Sequence, residues 1–316
     1  MARVWTMGEL LCEIMRPQVG VPLNEPGSFL GPYPSGAPAI FIDTVARLGQ
    51  SAGIIGGVGQ DDFGKCLLDR LENDGVDCSQ ITQYEDGSTG VAFVTYFEDG
   101  SRRFLYHFSD TPATRPTAPD VDKLGNNVQY FHIMGCSLMA KREFGREILM
   151  LMRELVKKGV KISFDPNVRP ELMKDDSSAQ MVQEVIDNCS VLLPGEAELL
   201  MICDKTSVKD AIEICFKKPA LEIIVLKNGS KGCSVYTRED SFSLSAYPIE
   251  AIDATGAGDC FDGAFLCGLL EGKPLKAAAE MASAAAAINT MAFGPMEGEI
   301  SKSSVERMIA NPGSAP

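Results

Sequence analysis

The chain has 316 residues, 45% of them apolar, and a formal charge of −14. That length and apolar share support one large core. The acidic balance argues against nucleic acid as a partner, and no apolar run reaches the roughly 18 residues of a membrane span. The ten cysteines show no C-x-x-C spacing, and with two histidines in the whole chain, His107 and His132, no zinc or His-based site is expected. The pattern suits reduced thiols in the cytoplasm, and no signal peptide is expected at the N-terminus.

In chain order, 3–8 reads as a first strand, and 10–15 continues extended and swings away from it. The stretch 16–34, rich in Pro and Gly, reads as an irregular loop. An amphipathic helix is expected over 37–48, an apolar strand over 51–58 and a helix over 62–73 stopped by Gly75. The runs 90–97 and 102–108 form a hairpin about Glu98-Asp99-Gly100-Ser101. Strand and helix then alternate: strand 128–134, helix 142–158, strand 161–165, helix 178–187, strand 191–193 and a short helix 197–203. Strands 222–226 and 233–236 flank a glycine turn. An extended run over 241–252 precedes two closing helices, 259–270 and 275–291. This alternation predicts an α/β fold with a mainly parallel sheet covered on both faces and ligands at the strand ends. The hairpin cannot bury both of its faces alone, so it is expected to form a lid or a dimer contact.

Asp253-Ala254-Thr255-Gly256-Ala257-Gly258-Asp259 carries the most chemistry. A small-residue turn entering a helix points backbone N–H groups at an anion. Gly256 and Gly258 leave room for a phosphate. Asp259 falls in the first helical turn, where the helix dipole keeps it ionised. An anion cradle beside a carboxylate suits phosphoryl transfer, with Asp259 taking the proton of an attacking hydroxyl. The segment Asp165-Pro166-Asn167-Val168-Arg169-Pro170 is locked by two prolines, which pre-orders Asn167 and Arg169. An Arg fixed there can grip a phosphate through two hydrogen bonds.

The 253–259 stretch resembles the D-T-T-G-A-G-D signature of the ribokinase-like (PfkB) family of sugar kinases, departing at Ala254. The resemblance runs from about Val4 to about Gly294 with weaker motifs. Pro34-Ser35-Gly36-Ala37-Pro38-Ala39 resembles the sugar-binding G-G-x-x-x-N motif, but Ile40 stands where the family has Asn. Asp165-x-Asn167-x-Arg169 is similar to a segment of fructokinases and 2-keto-3-deoxygluconate kinases. Glu198 matches the acid of N-x-x-E, with Gly195 in place of the Asn.

The resemblance implies a ribokinase-like three-layer α/β/α sandwich forming a single kinase domain over 1–316, with a small β-lid at about 10–16 and 90–108. It implies ATP and Mg²⁺, a sugar acceptor, and a monovalent cation such as K⁺ near Asp253. Asp259 would be the base, with Gly256, Ala257 and Gly258 as anion hole and Arg169 on the transferring group. Glu13 (with Glu9 second), Gly36, Ala37, Arg103 and Asn167 would meet the sugar; with the family's Asn absent at Ile40, Asp43 one helical step away is the candidate to complete the pocket. Ser35 would cap the first helix. Lys227, Gly229, Gly232 and Asn289 would meet the nucleotide, and Glu198 would meet Mg²⁺ through water. The expected substrate is a ketohexose such as fructose or tagatose, with 2-keto-3-deoxygluconate as the alternative. A non-catalytic sugar-responsive protein remains a second class. A homodimer through the lids is expected.

Overall fold

The computed structural model describes residues 2–168 and 177–312. Apolar β-formers build β1 (Val4–Met7), after which the chain leaves the main sheet and forms β2 (Leu11–Met15) and β3 (Leu30–Ser35). It returns through α1 (Ala37–Arg47), β4 (Ala52–Gly59), α2 (Asp62–Asn73) and β5 (Asp77–Tyr84). Next comes the hairpin of β6 (Gly90–Tyr96) and β7 (Arg102–His107). Then follow β8 (Tyr130–Met134), α3 (Gly135–Ala140), α4 (Arg142–Lys157), β9 (Lys161–Asp165), α5 (Ser177–Asn188), β10 (Val191–Leu192), α6 (Glu196–Cys203) and α7 (Val208–Cys215). The chain ends with β11 (Ile223–Lys227), β12 (Cys233–Tyr236), β13 (Ser241–Leu244), α8 (Ala257–Leu270), α9 (Leu275–Thr290) and α10 (Lys302–Ala310).

A nine-stranded sheet runs in the order β13-β12-β11-β10-β9-β8-β1-β4-β5. It is parallel from β11 to β5 and antiparallel at the β11–β12 and β12–β13 pairs. Strands β1, β4, β8 and β10 are buried along their whole length, which requires cover on both faces. His132 belongs to this core. Its ring stacks on Phe41 with centroids 3.8 Å apart, its Nδ1 meets Ser163 Oγ at 2.9 Å, and burial holds its pKa down to about 3.

The second sheet has the order β3-β2-β6-β7 and stands over one end of the first. Within it β2 and β6 are parallel, and the other pairs are antiparallel.

Several expectations change. The loop expected over 16–34 contains the start of β3, whose two prolines fit an edge strand that need not donate on its open side. The polar strand β5 escapes an apolar-periodicity reading because it is the other kind of edge, half exposed along the main sheet. The extended run over 241–252 is a strand for its first four residues, so the 253–259 turn follows a coil. Helices α3, α7 and α10 add to those expected.

Candidate active site

A cleft opens between the small sheet and the carboxyl ends of the parallel strands, where such folds place ligands. Its wall includes Glu9, Glu13, Ser35, Gly36, Ala37, Ile40, Asn167, Gly256 and Asp259. The β7 residues Arg102, Phe104 and Tyr106, and Phe108 just beyond the strand, cover it.

The acidic end of the cleft is built on α8. Gly256 is its N-cap at φ 76°, and a Cβ there would collide with Pro295 O. A glycine is therefore required on both conformational and steric grounds. Ala257, Gly258 and Asp259 form the first turn, whose N–H groups have no acceptor within the helix. A Cβ added to Gly258 would find Lys227 Nζ nearest, at 3.6 Å, so the approach to these amides is open. A phosphate fits this cradle by size, charge and donor direction. Asp259 is 7% exposed, and its Oδ1 accepts a hydrogen bond from Asn167 Nδ2 at 3.1 Å.

Asn167 adopts φ 36°, a left-handed conformation that Asn tolerates better than most residues. Asp165 holds it there: Oδ1 accepts the Asn167 backbone N–H at 3.1 Å and Oδ2 accepts Nδ2 at 3.3 Å. Asp165 also pairs with Lys227 Nζ at 2.8 Å, and Lys227 reaches Asp262 at 3.0 Å. Burial opposes the charge on Lys227, but the two carboxylates overcome it and hold the pKa above its usual value. Burial likewise opposes the charge on Asp165, and the Lys227 ammonium offsets this, holding its pKa low.

Opposite Asp259 stands Glu13 on β2, whose Oε1 accepts from Ser35 Oγ at 2.7 Å. Burial pushes its pKa up to about 7, although the Ser35 bond lowers it. Glu9 lies in the crossing from β1 to β2, and its carboxylate accepts from Ser137 Oγ at 2.5 Å. Gly36, the N-cap of α1 at φ 109°, lets that crossing pass, because a Cβ would collide with Glu9 O. Glu13 Oε2 and Asn167 Oδ1 are buried acceptors without a partner, and both residues line the cleft. Hydroxyl donors on a ligand would relieve the cost of leaving them unsatisfied.

The loop before α8 is tied to the small sheet. Asp253 Oδ2 accepts from Tyr96 Oη at 3.1 Å and from Gly294 N at 3.1 Å, while its Oδ1 accepts from Thr255 N and Oγ1 at 2.9 and 2.7 Å. Arg102 Nη1 donates to Thr255 Oγ1 at 2.8 Å.

The structure therefore brings together Asp259, Gly256, Ala257, Gly258, Asn167, Glu13, Gly36 and Ala37 around one cleft. Other expectations change. Arg103 pairs with Thr95 across the hairpin and is exposed, away from the cleft, whereas Arg102 lines it. Asp43 is buried between Arg47 and Arg70, at 3.6 and 3.8 Å, and does not line the cleft. Ser35 donates to Glu13, and Gly36 takes the N-cap. Asn289 is fully buried, and its Nδ2 donates to Thr255 O and Pro295 O at 2.9 and 3.1 Å. Its amide thus braces the loop and is not presented to a nucleotide.

Glu198 accepts Val168 N and Gly195 N, each at 2.8 Å, so both of its oxygens hold backbone. Among the described residues there is no group of three or more His, Cys, Asp or Glu that could hold a metal ion. Gly229 and Gly232 shape the turn between β11 and β12. Arg169 lies outside the described residues. Sequence reasoning missed the Lys227–Asp165–Asp262 cluster. The signal available was Asp262 one turn beyond Asp259 on an otherwise apolar helix.

The pattern of the family described as pfkB family carbohydrate kinase matches residues 1–302. The chain is 30% identical to fructokinase-1 of Zea mays over 312 residues, covering 94% of this chain and 96% of that protein. It is similar to an E. coli protein provisionally designated ribokinase II, whose apo structure superposes with a TM-score of 0.93 at 36% identity over 98% of this chain and 99% of that one. The same protein in complex with ATP and Mg²⁺ gives a TM-score of 0.92 at 36% identity, with the same coverage.

Proposed function

Because the chain belongs to the pfkB family of carbohydrate kinases, we propose that it transfers the γ-phosphoryl group of ATP to a terminal CH₂OH of a neutral ketohexose, fructose before tagatose. The observation that carries this reading is the pairing of Asp259, on the first turn of α8, with two unpartnered acceptors across one cleft. Acceptors suit a polyhydroxylated neutral sugar, and Glu9, Glu13 and Asp259 together would repel an anionic one. The fructokinase name of the maize relative supports the same choice.

In this mechanism Glu13 and Asn167 orient the sugar through its hydroxyls. Asp259 takes the proton of the attacking hydroxyl. The amides of Gly256, Ala257 and Gly258 face the charge that develops on the transferring group, where fixed dipoles act without reorganising. Arg169 is proposed to grip the same group. Glu198 would meet a nucleotide-borne Mg²⁺ through water, and the ion would supply charge neutralisation when bound. A monovalent cation beside Asp253 would rely on loop carbonyls, since both oxygens of that carboxylate already accept two donors each. The small sheet acts as a lid that excludes water, which would otherwise compete as acceptor. We place the enzyme in the cytoplasm, where its ten cysteines stay reduced.

We also propose a homodimer through the lids. The outer face of the small sheet carries Phe93 and Leu105, with Phe29 packed against Phe93, and Leu105 is 48% and Phe29 38% exposed. A second copy would cover this apolar face.

One observation favours a second substrate. Arg102 in the cleft could pair with a carboxylate, as 2-keto-3-deoxygluconate would need. The test is ATP-dependent ADP release with fructose, tagatose and 2-keto-3-deoxygluconate side by side. Highest kcat/KM for a ketohexose is expected. A tenfold preference for the acid sugar would overturn the substrate assignment, and ligand binding without turnover would make the protein a sugar sensor.

A further inference from the structure

Lys227 ends β11, on the far side of the Asp165 strand from the sugar wall, and its side chain is 16% exposed. A line of hydrogen bonds joins it to the reacting end of the cleft. Its Nζ meets Asp165 Oδ2 at 2.8 Å. Asp165 accepts Asn167 N at 3.1 Å and Asn167 Nδ2 at 3.3 Å. The same Nδ2 donates to Asp259 Oδ1 at 3.1 Å. We propose that Lys227 is a positioning residue that fixes both the orientation and the ionisation of Asp259 through Asp165 and Asn167. The proposal rests on the reading of Asp259 as the base.

Orientation comes first. Asn167 holds a left-handed conformation because Asp165 captures its backbone and its side chain together. Asp165 can remain charged in a buried site only beside a cation. Without Lys227, the Asp165 carboxylate would stand uncompensated and turn toward other donors, and Asn167 would lose its anchor. Ionisation follows from the same contacts. Asp165 and Asp259 share one amide, so their negative charges repel across it. Lys227 neutralises the first and thereby keeps the second acidic. Its Nζ also lies close behind the first turn of α8, at 3.6 Å from a Cβ position on Gly258, adding positive charge at the anion cradle.

Other titratable groups lie near Asp259 as well: Glu13 from β2, Glu9 from the β1–β2 crossing and Arg102 from β7 line the same cleft, with Asp253 in the preceding loop and Asp262 further along α8. Of these, burial holds Asp262 well above the usual carboxylate range, and it pushes Glu13 up to about 7. The Glu13 contribution is removed by repeating each measurement in the Glu13→Gln background.

The experiment is the pH profile of kcat at saturating sugar and MgATP for the parent, Lys227→Met, Lys227→Arg and Asp165→Asn, with KM for ATP and Tm alongside. Lys227→Met is expected to raise the acid limb by about half a unit or more. It should lower kcat at pH 7 by about tenfold through loss of orientation, with KM for ATP changed little. Lys227→Arg should restore both. Asp165→Asn removes the negative neighbour while the cation stays, so its acid limb moves the opposite way as kcat falls. If Lys227→Met fails to fold, that opposite shift decides the matter. An unmoved acid limb with a tenfold rise in KM for ATP would make Lys227 a nucleotide ligand, and an unmoved limb with only a lower Tm would make the cluster structural. Either result overturns the proposal. Failure of the underlying reading shows separately, as turnover near the parent's in Asp259→Asn.

Discussion

Asn167 Nδ2 points at Asp259 Oδ1 across 3.1 Å, joining a loop at the end of β9 to the first turn of α8. The contact orients the carboxylate on the cleft wall. An amide at 259 could still accept this bond but could not take a proton. Asp259→Asn is therefore expected to lower kcat by about 10²–10⁴ with nucleotide affinity largely kept. Steady-state kinetics and calorimetric titration of ATP would check both halves, and turnover within a few-fold of the parent would remove Asp259 from its role.

Glu13 gives a pH signature. Burial raises its pKa to about 7 from an ordinary 4.5, so the native state binds this proton more tightly than the unfolded chain. Stability contributed by the group is full below the unfolded value and is lost as pH rises toward 7. Glu13→Gln should therefore have a higher Tm than the parent at pH 8, with the gap closing toward pH 4.5. It should also lower kcat/KM for the sugar by about tenfold or more, because the orphaned acceptor is replaced by a weaker one. Equal Tm values at pH 8 would contradict the burial argument.

Arg102 and Arg103 should separate cleanly. Arg102→Ala removes the guanidinium from the cleft and its bond to Thr255, so sugar KM should change several-fold, in opposite senses for neutral and acid sugars. Arg103→Ala, on the outer face, should leave both within about twofold, as surface changes usually do. Parallel kinetics on the two sugars is the check, and an Arg103 effect larger than that of Arg102 would reverse the register argument.

Leu105→Glu places a charge on the outer face of the small sheet. If lids pair in solution, this variant should sediment and scatter light as a monomer at micromolar concentration where the parent is a dimer. A parent that is monomeric under the same conditions would remove the dimer proposal.

Much of this arrangement is legible in the chain itself. The 62–73 helix matches α2 residue for residue, because Asp61 caps it by accepting Gly64 N at 2.8 Å and Gly75 ends it. The Asp253–Asp259 turn stands out through small residues and an acid in fixed order. What escapes are relationships set by tertiary register. Whether Arg102 or Arg103 faces inward depends on Tyr96 pairing with Arg102 across the hairpin, which spacing alone does not specify. Asp43 reads as a pocket acceptor one helical step from Ile40, yet two arginines from α1 and α2 claim it. Lys227 reads as a phosphate ligand in a glycine turn, and its two carboxylate partners lie 62 and 35 residues away in sequence.

Three residues, Gly8, Glu9 and Leu10, carry the chain from the main sheet into the small one. The crossing itself holds Glu9, and the strand it feeds holds Glu13. The carboxylates proposed to read the sugar are thus mounted on the stem of the part that would move. A swing of the small sheet cannot leave them behind. Recognition and closure share one covalent lever, so a change at the stem that alters which sugar fits will also alter how fast the cleft opens. Selection for a new sugar in this scaffold would be expected to carry a change in turnover with it, even where no catalytic group is touched.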